Sequence, residues 1–260
     1  MSGLLAPDEP AAVLVERAQG SAPFVLTCDH AGLAIPRALG DLGVPDAERA
    51  RHIGWDIGAL GVAREMSRQL DAPLVAQRYS RLVIDCNRPP ASEELIALRS
   101  EATDIPGNRD LDATARQARI DAIYDPFHAA IESLLDSRAA AGRETLYVAV
   151  HSFTPIYLGT PRPWQLGVLY GSDRRLAEVL LAQLASDRAL VVGDNEPYRI
   201  DGKDHGIPEH ALRRGFANVL FEVRQDLIAA VDGQKAWGRR LAELLAAAHA
   251  RFAADRGAGR

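Results

Sequence analysis

Short apolar runs alternate with helical patterns along this chain, and the alternation restricts its possible folds more than any other feature. Strand-like runs are predicted over 23–28, 72–87 (two short runs), 145–153, 189–195 and 217–228. Helices are predicted over 57–70, 113–142 with an interruption at Pro126, 174–187 and 232–257. Strands that alternate with helices form a parallel or mixed sheet with helices on both faces. We therefore expect an α/β three-layer sandwich with a mixed, mostly parallel sheet.

The size of the chain suits a large core. Its 260 residues are 47% hydrophobic and 25% charged, which is ordinary for a globular protein. Length alone would allow one domain or two small ones. No linker rich in Pro, Gly or Ser marks a boundary. We expect a single domain over residues 1–260.

Charge and hydropathy restrict the partners. The net charge is −5 and no basic stripe is present, so we expect no nucleic-acid partner. The sequence has no run of eighteen apolar residues and no basic N-terminal region before a long apolar core, so we expect neither a membrane span nor a secretion signal. Cys28 and Cys86 lie in apolar runs outside any C-x-x-C pattern, which predicts buried free thiols. We expect a cytoplasmic protein that is a monomer or a small homo-oligomer.

Polar residues recur where the predicted strands end. They are Asp29 and His30, Asp85, Asn87 and Arg88, His151, Asn195, and Glu222 with Arg224. In open α/β sheets, ligands bind outside the carboxyl ends of the strands. One polar strand end has many structural explanations, but their recurrence predicts a functional site along this edge of the sheet.

Two of the strand-end residues are histidines, His30 and His151, which suggests a metal site. Two neutral imidazoles and one carboxylate are a common ligand set for zinc, with a fourth position open for water. The carboxylate could come from Asp29, Asp56 or Glu222, and spacing alone does not choose among them. Asp56 begins a predicted helix, where an acid would also suit the helix N-terminus.

Glu222 lies inside an apolar strand, where a carboxylate is unfavourable unless it is paired or protonated. One interpretation is a salt bridge with Arg224, which lies two residues on and therefore on the same face of the strand. The other is a general base for a metal-activated water. Among the arginines, Arg88 stands out because it follows an apolar run and precedes Pro89 and Pro90. Guanidinium groups in a cleft bind carboxylates in bidentate fashion.

Five segments, taken in chain order, resemble the N-formylglutamate amidohydrolase family. They are CDHAG followed by IP, YSRLVIDCNRPP, HSFTP, DNEPY and EVRQDLI, and together they extend from about residue 22 to about residue 230. The resemblance implies a zinc-exopeptidase-like, phosphorylase/hydrolase-like α/β fold. It also implies metal-dependent hydrolysis of N-acyl amino acids in amino-acid degradation, with N-formyl-L-glutamate as the type substrate. One divalent metal, expected to be zinc, and a small-molecule substrate are the implied cofactor and partner.

The layout is also similar to that of zinc N-acetylmuramoyl-L-alanine amidases, and this implies roles for individual residues. By this comparison the metal ligands are His30, Asp56 and His151, and the base is Glu222. The expected substrate-binding residues are Arg81, Asn87, Arg88 and Arg224. An arginine or His210 is expected to stabilise the oxyanion. The alternatives are hydrolysis of another N-acyl amino acid or a short peptide, and a non-catalytic binding module on the same fold.

Overall fold

A mixed sheet of seven strands forms the centre of the protein, in a computed structural model that describes residues 3–258 and the side chains of residues 3–252. The strands in chain order are β1 (Val13–Glu16), β2 (Phe24–Cys28), β3 (Leu74–Gln77), β4 (Arg99–Ser100), β5 (Thr103–Asp104), β6 (Leu146–Phe153), β7 (Ile156–Tyr157), β8 (Thr160–Pro161), β9 (Leu166–Leu169), β10 (Val192–Asp194) and β11 (Asn218–Arg224). The pairs β4–β5 and β7–β8 are separate two-stranded hairpins.

The strand order of the large sheet is β1-β3-β2-β6-β11-β9-β10. The four central strands β3, β2, β6 and β11 run parallel to one another. β1 and β9 are antiparallel to their neighbours β3 and β11, and β10 is parallel to β9. The prediction of a mixed, mostly parallel sheet is confirmed.

Helices cover both faces of this sheet. They are α1 (Asp46–Arg49), α2 (Ala59–Leu70), α3 (Ala113–Arg119), α4 (Asp125–Ala140), α5 (Arg175–Leu184) and α6 (Val231–Ala258). Side chains of α2, α5 and α6 share one core with the sheet, and side chains of α4 share the other. Among residues 3–258, no helix is both long enough and apolar enough to cross a bilayer.

The two cores follow from the alternation of side chains along each strand. In β2, Phe24 and Leu26 enter the core beneath α2 and α6, whereas Val25 between them enters the core beneath α4. All eight residues of β6 are buried, as expected for a strand covered on both faces. The three-layer arrangement is therefore built into the sequence of the central strands.

The helix predicted over 113–142 is present and ends at Ala140. Pro126 does not break it, because a π-helical turn over Ile120–Tyr124 joins α3 to α4. Pro126 then falls in the first turn of α4, where a missing backbone N–H is tolerated. The wider turn thus absorbs the proline without ending the helix.

The strand predicted for the second apolar run of 72–87 is wrong. Residues 81–87 form turns rather than a strand, although Leu82, Val83 and Ile84 are fully buried in the core beneath α4. The apolar run therefore indicated burial correctly and backbone conformation incorrectly. The short strands β1 and β9 were not predicted from the sequence.

The carboxyl ends of β2, β3, β6 and β11 meet at one edge of the sheet, because these strands are parallel. Just beyond β2, Gly32 allows the chain to pass close to the end of β3. A Cβ on Gly32 would lie 1.8 Å from the carbonyl oxygen of Arg78. The glycine that follows the Asp29–His30 pair therefore lets the chain turn back over the sheet edge.

Candidate active site

The two strand-end histidines lie side by side at this edge. His30 follows β2, and His151 lies in the neighbouring parallel strand β6. Their rings meet edge to face, with centroids 5.0 Å apart, and each residue is only 3% exposed. Burial of two imidazoles together is unfavourable unless polar groups compensate for the lost water.

Asp56 supplies that compensation to both rings. Its backbone N–H donates to the carbonyl oxygen of His30 at 2.9 Å, which holds the segment before α2 against the end of β2. Its Oδ2 lies 2.8 Å from Nδ1 of His151 and 3.5 Å from Nδ1 of His30. Asp29 is more distant, with its Oδ2 3.9 Å from Nε2 of His151. Among the candidate acidic ligands, Asp56 is therefore the one whose carboxylate lies against both imidazoles.

The charges of this cluster stabilise one another. Burial tends to raise the pKa of Asp56, but His30 and His151 together hold it well below its usual value. Burial tends to lower the pKa of His151, but the hydrogen bond that its ring donates to Asp56, together with the surrounding carboxylates, raises it to about 9. The balance keeps a carboxylate ionised in a site almost closed to water.

A further carboxylate, Asp85, orients His30 from behind. Its Oδ1 lies 2.7 Å from Nε2 of His30, and its Oδ2 accepts a hydrogen bond of 2.6 Å from Arg81. Arg81 also lies 3.8 Å from Oδ1 of Asp56. A carboxylate on one imidazole nitrogen fixes the ring orientation and leaves the other nitrogen for a metal. Arg81 therefore acts on His30 through Asp85.

The donor set fits a metal ion. His30, Asp56 and His151 each offer a ligand atom, and the three atoms lie within 4.8 Å of one another. Nδ1 of His30 and Nε2 of His151 are buried without a hydrogen-bond partner. Two imidazoles and a carboxylate are ligands that divalent transition metals prefer. The cluster could therefore bind a metal ion.

Glu222 lies directly beside His151, as its register partner on the parallel strand β11. It is 6% exposed, and its Oε2 has no hydrogen-bond partner. Burial, opposed in part by His151, raises its pKa to about 8. On the other side it faces Gly167 of β9, where a Cβ would lie 2.4 Å from the carbonyl oxygen of Glu196 and 3.1 Å from Cβ of Glu222. Gly167 thus permits the close packing that holds Glu222 in place.

These residues border a cavity of about 490 Å³ at the sheet edge. Its wall carries several cations and carboxylates, namely His52, Arg81, Asp85, Arg88, Glu94, Arg99, Glu101, Arg199, Asp201, Lys203 and Asp204. Most of the cations are already paired, whereas Arg199 is exposed and forms no hydrogen bond or ion pair with any residue of the described chain. The cavity therefore joins the histidine–carboxylate cluster to a strongly charged wall.

Asn87 and Arg88 line this cavity but have partners within the protein. The side chain of Asn87 donates to Asp204 at 3.0 Å and accepts from the backbone N–H groups of His205 and Gly206. Arg88 donates to Glu94 at 3.1 Å and lies 3.8 Å from Asp204. Asn87 therefore fixes the loop after β10 onto the cavity wall.

Two residues predicted for the site lie outside the cavity. Arg224 does not pair with Glu222; its guanidinium donates to Asp226, with Nε 2.8 Å from Oδ1. His210 is buried beside α4, with Nε2 2.8 Å from Nδ1 of His128. The interpretation of Glu222 and Arg224 as a salt bridge is therefore wrong. Among the described residues, Glu222 has no arginine partner.

Three residues that shape the site received no individual role from the sequence, although Asp85 was among the polar residues at predicted strand ends. Asp85 lies between Ile84 and Cys86 in an apolar run, and a buried acid at such a position needs a partner, which was the available signal. Glu94 and Lys203 carried no signal, because charged residues in polar segments are usually solvated. Glu94 and Lys203 meet only because the folded chain brings together two loops that are distant in sequence.

The comparisons with known proteins agree with one another. The family model for N-formylglutamate amidohydrolase matches residues 22–229. The gene product Atu2144 from Agrobacterium tumefaciens has a similar crystal structure, with 43% sequence identity, a TM-score of 0.93, and coverage of 96% of this chain and 99% of that chain.

Two further proteins are similar over different extents. An N-formylglutamate deformylase of Pseudomonas putida is 38% identical over 79 residues, which is 30% of this chain and only 28% of the relative's own length. The N-formylglutamate amidohydrolase of Ralstonia eutropha JMP134 is 21% identical, with a TM-score of 0.70 over 92% of this chain and 98% of that chain. At 21% identity, the similarity to the Ralstonia eutropha protein supports the fold alone.

Proposed function

Since the chain belongs to the N-formylglutamate amidohydrolase family, we propose that it hydrolyses the amide C–N bond of an N-formyl amino acid such as N-formyl-L-glutamate. One observation carries the proposal. The buried histidine–aspartate cluster and the unpartnered Oε2 of Glu222 border the same charged cavity. Buried polar atoms without partners are unfavourable, and they are typical of sites that are completed by a ligand.

His30, Asp56 and His151 would hold a divalent metal, and their chemistry suits zinc. When bound, such a metal lowers the pKa of a water molecule and polarises the carbonyl group under attack. Asp85 keeps His30 in the tautomer that presents Nδ1, because its carboxylate accepts the proton on Nε2. Asp56 and Asp85 also offset the positive charge that the site collects.

Glu222 acts as the general base. Its free Oε2 accepts a proton from the attacking water and then delivers this proton to the nitrogen of the leaving amine. The adjacent position of His151 keeps Glu222 beside the reacting atoms. Because Glu222 is almost closed to bulk water, the proton remains available for the second transfer.

The arginines of the cavity bind the carboxylates of the amino acid. Arg88 and Arg81 lie in the cavity wall, and Asn87 fixes the loop that faces them. His210 has no role in oxyanion stabilisation, because its ring lies against His128 and Tyr147 and outside the cavity. A cytoplasmic location, a single domain over 1–260 (whose ends, 1–2 and 259–260, lie outside the described residues) and a monomer or small homo-oligomer remain predictions.

The test is the Glu222→Gln variant, assayed beside the wild type with formyl-, acetyl- and succinyl-L-glutamate. We expect the wild type to favour the formyl compound, and the variant to lose activity by about 10²–10⁴-fold. Its metal content should stay that of the wild type. Glu65→Gln is the matched control, because Glu65 is a buried carboxylate paired with Arg68 on α2. Unchanged turnover in Glu222→Gln would remove Glu222 from the mechanism.

A further inference from the structure

One carboxylate in the cavity wall is held as a ligand would be held. Glu94 accepts a hydrogen bond from Nε of Arg88 at its Oε2, over 3.1 Å, and another from Nζ of Lys203 at its Oε1, over 2.8 Å. Each oxygen therefore meets its own cation. The two cations come from segments 115 positions apart in the chain.

Arg88 is fixed before it meets Glu94. Its Nη1 donates to the carbonyl oxygen of Asn87 at 3.1 Å, and its own carbonyl oxygen accepts from the hydroxyl of Tyr124 at 3.0 Å. The backbone of Lys203 is fixed as well, because its N–H donates to the carboxylate of Asp201 at 2.8 Å. The guanidinium of Arg88 and the backbone of Lys203 are therefore held by contacts that do not involve Glu94, whereas the ammonium of Lys203 meets Glu94 itself.

Glu94 is held more loosely than Arg88. Its side chain is 48% exposed, whereas that of Arg88 is 20% exposed. It lies in a short 3-10 turn, Glu93–Ile96, at the rim of the cavity. Ion pairs between exposed side chains contribute little net free energy, so Glu94 can leave its two partners for water at small cost.

We propose that Arg88 and Lys203 form a carboxylate subsite that Glu94 fills when no substrate is bound. The side-chain carboxylate of an N-acylated acidic amino acid enters this subsite and displaces Glu94 into solvent. The inference rests on the proposed function and deepens it, because it assigns an acidic side chain to the substrate and names the residues that select it.

The charges explain the selection. With Glu94 displaced, Arg88 and Lys203 face Asp204 as the remaining carboxylate within ion-pair distance of Arg88. An incoming carboxylate restores the pairing that Glu94 gave up. A neutral side chain cannot do so, and it therefore meets a subsite still closed by Glu94. Glu94 thus competes with acidic substrates for the subsite and weakens their binding, whereas it changes the binding of neutral ones little.

The experiment compares kcat/KM for N-formyl-L-glutamate and N-formyl-L-glutamine, which differ only in the charge at the side-chain end. In Glu94→Gln we expect a lower KM for the glutamate compound, by several-fold. In Lys203→Met we expect the ratio of the two kcat/KM values to fall by about tenfold, since a hydrogen bond to a charged group is lost. Glu178→Gln is the control, because it removes an exposed partner of Arg174 on α5, away from the cavity. Its ratio should equal that of the wild type.

Direct binding separates this inference from the proposed function. If the wild type turns over neither substrate, the proposed function fails, and calorimetric titration with glutarate and with its monoamide decides the subsite. Tighter binding of glutarate, but not of the monoamide, to Glu94→Gln would support displacement of Glu94. Equal effects of Glu94→Gln on the charged and the neutral compound, in turnover or in binding, would overturn it.

Discussion

Two groups of buried histidines in this protein differ in their neighbours. His30 and His151 lie against carboxylates, whereas His128 and His210 lie against each other, with Nδ1 of His128 2.8 Å from Nε2 of His210. Within residues 3–252, no carboxylate lies within ion-pair distance of either ring of the second group. All four rings are largely closed to water.

The comparison shows that burial alone does not make a histidine functional. Burial, helped by the neighbouring imidazoles, lowers the pKa of His128 to about 2 and that of His210 to about 4. In the first group, carboxylates overcome the same effect and raise the pKa of His151. Carboxylates also orient the free ring nitrogens of His30 and His151 toward one shared position. Within the described part of the chain, His128 and His210 have no carboxylates that could orient them in this way.

The largest contrast concerns metal content. We expect His151→Ala to lose its bound metal, because one of three ligands is removed from a site that leaves the fourth position to water. We expect His210→Ala to retain it. Elemental analysis of both variants after incubation with zinc measures the difference. Equal metal content in the two variants would show that the two groups of histidines do not differ in metal binding.

A smaller effect is expected when a neighbour changes and the histidine stays. Asp85→Asn keeps the shape of the side chain that orients His30 but removes its charge. Loss of such a partner weakens metal binding by about 10–100-fold. Competition with a chelator gives the affinity, and Asp201→Asn is a control on the same cavity wall. Unchanged metal affinity in Asp85→Asn would mean that His30 can bind the metal without a carboxylate to orient its ring.

The smallest expected effect is on stability in mild acid. The pKa of His210 is lower in the folded state than the ordinary 6.5. The unfolded chain therefore binds more protons below pH 6.5, and the free energy of unfolding decreases as the pH is lowered. Between pH 7 and 5.5 the neutral folded His210 should account for about 1 kcal/mol of lost unfolding free energy. His210→Gln removes this titration. Urea unfolding at the two pH values should therefore show a smaller loss in the variant, and an equal loss would show that His210 does not titrate as described.

The sequence predicted that His30, His151 and Glu222 would lie together because a general rule applies to them. Asp56 precedes a helix, outside that rule, and its choice as a ligand came from the resemblance to the zinc amidases. Parallel strands end at one edge, so His30 after β2 and His151 and Glu222 late in β6 and β11 had to come near one another. The contact of Asp85 with His30 follows no such rule, since it depends on how the turns over 81–87 fold back.

Residue type alone did not separate the two groups of histidines. His210 follows a polar segment and has the same chemistry as His151, so its sequence gave no sign that it would stack on His128. Apolar patterns report which residues are buried. They do not report which neighbours a loop residue will reach, and Lys203 was overlooked for the same reason.

The place of β11 has a consequence for the order in which the protein assembles. This strand lies between β6 and β9 in the sheet, yet it follows both in the chain. On a ribosome, a nascent chain that stops before residue 218 holds both of those neighbours and lacks the strand that joins them. His30, Asp56 and His151 are all synthesised by then, but Glu222 is not. The capacity to move a proton is therefore the last part of the proposed chemistry to emerge during synthesis, after every metal ligand has been made.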